Sequence, residues 1–136
     1  MADKAFKLEI VTPRKVVYNG DVVSFSAPGT MGGFQVLFNH APLLAEIGVG
    51  EVKVQDPQGN DMRYATSGGF VDVKQNHVVL LAETAEHSTE IDKARAEASR
   101  ERAQKRLAEH TPEINAARAQ ASLQRALNRL KVSRNG

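Results

Sequence analysis

Apolar and polar positions alternate along the first two-thirds of the chain. Phe6, Leu8 and Ile10 are separated by Lys7 and Glu9, which predicts a strand with one wet face. Apolar stretches at 16–18, 22–27, 34–38 and 43–47 predict further short strands, as do Val52 and Val54 beside Lys53 and Gln55. Residues 62–67, 70–73 and 78–82 complete the series. Turn-forming clusters punctuate it: 12–15, Asn19-Gly20-Asp21, the glycine-rich 28–33, 39–42, 48–50, 56–61 and Gln75-Asn76. Gly68-Gly69 reads as a bulge or a close backbone approach. Many short strands at close spacing predict a small antiparallel β-sandwich or barrel up to about residue 85.

The pattern changes near residues 86–88. Nine of the ten glycines and four of the five prolines lie before it, and an alanine- and charge-rich sequence follows. Ser88 or Thr89 is placed to cap a helix, and Thr89-Glu90-Ile91-Asp92 has the spacing of a capping box. That helix is expected to run to about residue 109. Thr111 as cap and Pro112 at the first helical position predict a second helix, to about residue 132. Each would be about 30 Å long, and the short link at His110 predicts an antiparallel return. The expected fold class is therefore α+β, with a small antiparallel β-sandwich over 1–87 followed by a two-helix antiparallel hairpin over 88–136. The hairpin's apolar face is thin. It is marked by Ile91, Ala94, Ala98 and Leu107, then by Ile114, Ala117, Ala121, Leu123, Leu127 and Leu130. Alanine buries little area, so such a hairpin is weakly held and suited to more than one resting place.

Composition narrows the function classes. The chain is 41% hydrophobic and 25% charged, which suits one soluble domain with an appendage. It has no Trp and only 5% aromatic residues, which argues against a nucleic-acid reader built on stacked bases. It has no Cys, so disulfides and thiolate sites are excluded. Residues 1–7 lack the apolar core of a secretory signal, and no apolar run approaches the ~20 residues of a membrane helix. A cytosolic protein is expected, reaching a membrane only through a partner. The four histidines show no metal-ligand spacing, no Gly-Lys dipeptide marks a phosphate-binding loop, and no catalytic constellation stands out.

The net charge of +2 is unevenly spread. Residues 111–136 hold five cations (Arg118, Arg125, Arg129, Lys131 and Arg134) against Glu113 alone. A basic terminal helix implies an acidic surface, an anionic ligand or nucleic acid as partner. Asp92, Arg95, Ser99, Arg102 and Arg106 recur at spacings of three and four, on one face of the first helix. Arg125 and Arg129 are one turn apart on the second. A closed hairpin would bring Arg95, Arg102, Arg125 and Arg129 together with Asp92. Guanidinium forks match phosphate oxygens, so one reading is a polyphosphate site. The other is an ordinary solvated face laced with pairs such as Asp92–Arg95 and Glu101–Lys105.

Four segments together resemble the epsilon subunit of F-type ATP synthase. They are Asn39-His40-Ala41-Pro42-Leu43-Leu44, Ser67-Gly68-Gly69-Phe70 with Val71-Asp72-Val73, Ile91-Asp92-Lys93-Ala94-Arg95-Ala96, and Arg125-Ala126-Leu127-Asn128-Arg129-Leu130. The likeness covers nearly the whole chain. Gln35, Phe38 and Gly33 depart from the usual glycine, proline and acid of that family. The resemblance implies a non-catalytic central-stalk subunit, with the sandwich on the gamma subunit and the c-ring. The hairpin would lie folded, or extend towards the alpha and beta subunits and block ATP hydrolysis. It implies ATP as a regulatory ligand on Glu86, Ile91, Asp92, Arg95, Ala96, Arg102, Arg125 and Arg129, and a rotor-ring contact at Met31, Gly32, Gly33 and His40. No metal, redox cofactor or nucleic acid belongs to that picture. The implied location is peripheral, on the cytoplasmic face of a bacterial plasma membrane or on a thylakoid.

Overall fold

The computed structural model describes residues 4–108 and 116–135. Ten strands form two five-stranded sheets packed face to face. The first sheet contains β1 (Phe6–Val11), β2 (Val16–Val22), β5 (Leu43–Ile47), β8 (Gly69–Lys74) and β9 (His77–Ala82), in the order β2-β1-β9-β8-β5. The second contains β3 (Ser24–Ala27), β4 (Phe34–Val36), β6 (Gly50–Gln55), β7 (Asp61–Thr66) and β10 (Ala85–His87), in the order β10-β7-β6-β3-β4. Neighbouring strands are antiparallel, with β1 and β9 the parallel exception. The alternation read from the sequence builds the core. Leu8 and Ile10, Val52 and Val54, Val71 and Val73, and Val78 and Leu80 all turn inward around Phe25, Val36 and Tyr64.

Three features depart from the sequence expectations. Asn19-Gly20-Asp21 is not a turn but the middle of β2, facing Glu9, Leu8 and Lys7 of β1. Ladder hydrogen bonds to β1 outweigh the local turn preference. Residues 22–27 are not one strand, because the chain passes between the sheets at buried Val23. The strand expected over 34–38 stops at Val36, and Asn39 takes a left-handed conformation (φ 64°) with its N–H held by Asn76 Oδ1 at 2.6 Å. Gly69 makes the close approach expected of it. Its φ is +151°, and a Cβ there would stand 2.1 Å from Leu81 O.

A short 3-10 turn (Ser88–Glu90) leads to α1 (Lys93–Ala108), and α2 (Ala116–Asn135) follows. The expected cap at Thr111, Pro112 at the helix start, Ile114 and the His110 link lie outside the described residues. Neither Ser88 nor Thr89 caps α1. His87 Nδ1 instead accepts the Thr89 N–H at 3.1 Å and closes the 3-10 turn. Ile91 is extended (φ −72°, ψ 123°) because it is drawn into a small apolar cluster with Ala65 and Val132. Asp92 is the cap, its Oδ1 accepting the Arg95 N–H at 3.0 Å.

The apolar face of the hairpin differs in part, with Ile91 and Leu130 buried as expected. Ala96 and Ala103 are buried on α1, and Ala119 and Ala126 on α2, each pair seven residues apart. Ala94 and Ala117 are exposed instead, and Leu127 is 44% exposed. A seven-residue repeat of alanines lets two helices approach closely while burying little area. α2 also packs on β6, β7 and the 3-10 turn, so the hairpin rests folded on the second sheet.

Candidate anion-binding site

Strand register prepares the floor of the site. Pairing of β10 with β7 and of β7 with β6 sets Glu86, Ala65 and Glu51 in one transverse row. Their chain neighbours Tyr64 and Val52 point into the core, so this row faces outward, towards α2. At one end of the row Arg129 of α2 grips Glu86 bidentately, Nε to Oε1 at 2.6 Å and Nη2 to Oε2 at 3.0 Å. Ala65 in the middle meets Ile91 and Val132. At the other end Glu51 pairs with Arg63. Asn128, the residue before Arg129, donates its Nδ2 to Gly50 O at 2.8 Å.

Above this floor lies an open cavity of about 800 Å³, within the range of small-molecule sites. Arg95, Ser99 and Arg102 of α1 line it, with Ser122, Arg125 and Arg129 of α2 and Glu86 of β10. The two helices thus share one cavity, each contributing side chains to it. Of the residues that the sequence singled out, Glu86, Arg95, Arg102, Arg125 and Arg129 meet here. Asp92, Ile91 and Ala96 do not. Asp92 caps α1, Ile91 fills the small apolar cluster with Ala65 and Val132, and Ala96 is fully buried on α1. Glu101–Lys105 is not among the ion pairs formed, whereas Glu97 pairs with Arg100.

Arginine side chains repel at close quarters unless an anion lies among them. Arg102 Nη2 donates to Ser99 Oγ at 3.1 Å, and Arg129 is matched by Glu86. Arg95 and Arg125 have no carboxylate partner among the described residues. The cavity lining therefore carries more positive than negative side chains. Among the described residues no three His, Cys, Asp or Glu side chains converge to hold a metal ion.

Comparison with known proteins gives the family. The β-sandwich model of the ATP synthase delta/epsilon chain matches residues 5–88, and the long α-helix model of the same chain matches 89–134. The chain belongs to the ATP synthase delta/epsilon chain family. It is 47% identical over 107 residues to the ATP synthase epsilon chain of Syntrophomonas wolfei, covering 79% of this chain and 78% of that one. It is 42% identical over 104 residues to the epsilon chain of Bacillus subtilis, covering 76% and 78%. The fold is shared with a chain in the OSCP/F1/c-ring structure of the Euglena gracilis mitochondrial ATP synthase. The TM-score is 0.78 at 19% identity, over 91% of this chain and 77% of that one.

Two other regions of this delta/epsilon chain stand apart from the cavity. Met31 is fully exposed, beside Gly32 and Gly33, at the tip of the loop between β3 and β4. His40 is half-buried and donates Nδ1–H to Ala41 O at 2.7 Å. On the outer face of the first sheet, register aligns Val16, Val11, Leu81 and Phe70 in a row across four strands. Val16, Leu81 and Phe70 are each more than half exposed. The sequence shows 12–15 as a turn but not its place at the cavity rim, and it gives no role to this row, Asn128 or Ser122. All depend on partners distant in sequence. No helix among the described residues is long and apolar enough to cross a membrane.

Proposed function

We propose that this chain is an epsilon subunit of the ATP synthase central stalk, non-catalytic, whose helical hairpin restrains ATP hydrolysis and is held in its folded, non-inhibiting position by ATP. The cavity that gathers Arg95, Arg102, Arg125 and Arg129 around Glu86 carries the reading. Those cations come from both helices, so a polyphosphate among them favours the closed hairpin. Ile91, Asp92 and Ala96 serve the site by fixing where α1 begins and how closely it lies on α2.

The energetics fit a switch. A ligand bound only to the folded form stabilises it by about 2.7 kcal/mol at a hundredfold excess over its Kd. An alanine-seamed hairpin is light enough for that to reverse a population. The apolar row of Val16, Val11, Leu81 and Phe70 supports a lasting subunit contact, which this reading gives to gamma. The Met31–Gly32–Gly33 tip and His40 would meet the c-ring, and the extended hairpin would meet alpha and beta. Membrane association follows through the complex, on the cytoplasmic face of a plasma membrane or on a thylakoid.

Calorimetric titration of the intact chain with ATP tests the ligand. Binding is expected, and an Arg95→Ala/Arg129→Ala variant should lose it. Absence of heat at millimolar ATP, or unchanged heat from that variant, rejects the sensor. Ending the chain after His87 should raise hydrolysis by the reconstituted complex. Unchanged hydrolysis would remove the brake from the proposal.

A further inference from the structure

The turn between β1 and β2 reaches the same cavity from the opposite side. Thr12, Pro13, Arg14 and Lys15 line it with the arginines of α1 and α2. We infer that Arg14 and Lys15 form a third arm of the anion site, which ties the first sheet to the hairpin when a polyphosphate is bound. This inference rests on the proposed nucleotide site and adds residues to it that lie outside both helices.

Three observations support it. First, the turn holds its own backbone. Thr12 N–H donates to Lys15 O at 3.0 Å, and Thr12 Oγ1 accepts the N–H groups of Arg14 at 3.4 Å and Lys15 at 3.3 Å. The loop is shaped before any ligand arrives, so ordering it costs little on binding. Second, the side chains of Arg14 and Lys15 are exposed and have no carboxylate partner among the described residues. Third, the charges around the cavity are unbalanced. Six cations (Arg14, Lys15, Arg95, Arg102, Arg125 and Arg129) stand against Glu83 and Glu86, and Glu86 is already committed to Arg129. A ligand with several adjacent anionic groups completes this arrangement better than a single carboxylate does, and guanidinium and ammonium groups both bind phosphate oxygens.

The consequence is mechanical. Without a ligand the hairpin is held to the sandwich through the second sheet, by α2 over β6 and β7. A phosphate chain spanning the cavity links the edge of the first sheet as well. Removing Arg14 and Lys15 should therefore weaken ligand binding without disturbing the hairpin at rest.

The test is calorimetric titration of the full chain with ATP and, separately, with inorganic tripolyphosphate. The variants are Arg14→Ala/Lys15→Ala and a charge-matched control, Lys53→Ala/Lys74→Ala, on exposed strand positions away from the cavity. Thermal melts that overlay with the parent exclude misfolding. The expected result is about tenfold or greater loss of affinity in the first variant, with a shallower salt dependence, and little change in the control. Equal affinities in the two variants overturn the third arm and leave the nucleotide site standing. Tripolyphosphate binding that depends on Arg14 and Lys15, with no ATP binding, removes the nucleotide reading and keeps the third arm. No binding of either probe by the parent chain rejects both.

Discussion

Asn128→Ala should loosen the hairpin selectively. Asn128 joins α2 to the sandwich by donating Nδ2 to Gly50 O at 2.8 Å, with Thr66 O at 3.5 Å as a distant second acceptor. A neutral hydrogen bond contributes about 1 kcal/mol net, and a half-buried carbonyl that loses its donor adds a desolvation cost. The Thr66 hydroxyl approaches Gly50 O only at 3.5 Å, so it replaces little of the loss. The total is about 1–2 kcal/mol, or roughly a 5- to 30-fold increase in the opening of α2. Native-state amide exchange reads this directly. Amides of α2 from 126 to 130 should exchange about tenfold faster, while those of β1 and β9 in the first sheet keep their protection. Asn128→Asp should do worse, because it presents an acceptor to an acceptor. Under the proposed function, ATP at a hundredfold excess over its Kd returns about 2.7 kcal/mol and restores protection in the Asn128→Ala chain. Unchanged exchange in α2, or equal acceleration in both sheets, refutes the selective anchor.

Other substitutions separate roles that the sequence merged. Asp92→Ala should lower the stability of α1 by about 1 kcal/mol through loss of its cap, seen as reduced helical circular dichroism on heating. Asp92→Asn keeps an acceptor for the Arg95 N–H, so it should bind ATP within a fewfold of the parent; abolished binding would make Asp92 a ligand instead. Gly69→Ala drives a Cβ into Leu81 O and should cost about 3–5 kcal/mol, whereas Gly59→Ala, with φ +87° and open space, should cost about 1 kcal/mol. Denaturant titration distinguishes them, and equal losses would rule out the clash as the cause. Burial pushes the Tyr64 phenol up to about 12, helped by Tyr18 and Glu90. Its folded value lies above the unfolded one, so its contribution is intact below about pH 10 and is lost as pH rises towards about 12, by roughly 2 kcal/mol. Tyr64→Phe should flatten that part of the stability profile, and an unchanged profile would assign the alkaline loss elsewhere.

The sandwich was largely legible because its strands alternate and its turns carry Gly, Asn and Pro. Where pairing partners decide the outcome, the local signal misled. Asn19-Gly20-Asp21 has turn chemistry, yet three residues of β1 hold it in a ladder. Thr89 has capping chemistry, yet Ile91 is taken by Ala65 and Val132, and the helix cannot start before Asp92. Of the cavity's charged members, Arg95, Arg102, Arg125 and Arg129 were readable from helical spacing, and Glu86 from the family resemblance. The anchoring role of Asn128 and the place of the 12–15 turn beside the helices were not, since no periodicity connects position 128 to Gly50 or position 14 to Arg125. The hairpin seam was read in part: Ile91 and Leu130 are buried as expected, but the buried alanines are 96, 103, 119 and 126 rather than 94 and 117, because which alanine faces the partner helix depends on packing that helical spacing alone does not fix.

That seam explains why charge, rather than apolar area, governs the hairpin. Four of the buried side chains on the two helices are alanines that bury little surface, Leu130 being the larger exception, and Ile91, Ala65 and Val132 form a small apolar cluster against the sandwich. The Arg129–Glu86 pair retains about a quarter to a third of its side-chain exposure, so solvent screens it and its net worth is modest. Meanwhile Arg95 and Arg125 share a cavity with Arg102 and Arg129 and repel them. The same side chains that weaken the empty hairpin strengthen it once an anion lies between them. Replacing Arg125 with a neutral residue should therefore act in opposite directions, raising the thermal stability of the ligand-free chain while lowering its stabilisation by ATP. A merely solvated charged face would show neither effect, because charges that do not converge have no repulsion to relieve.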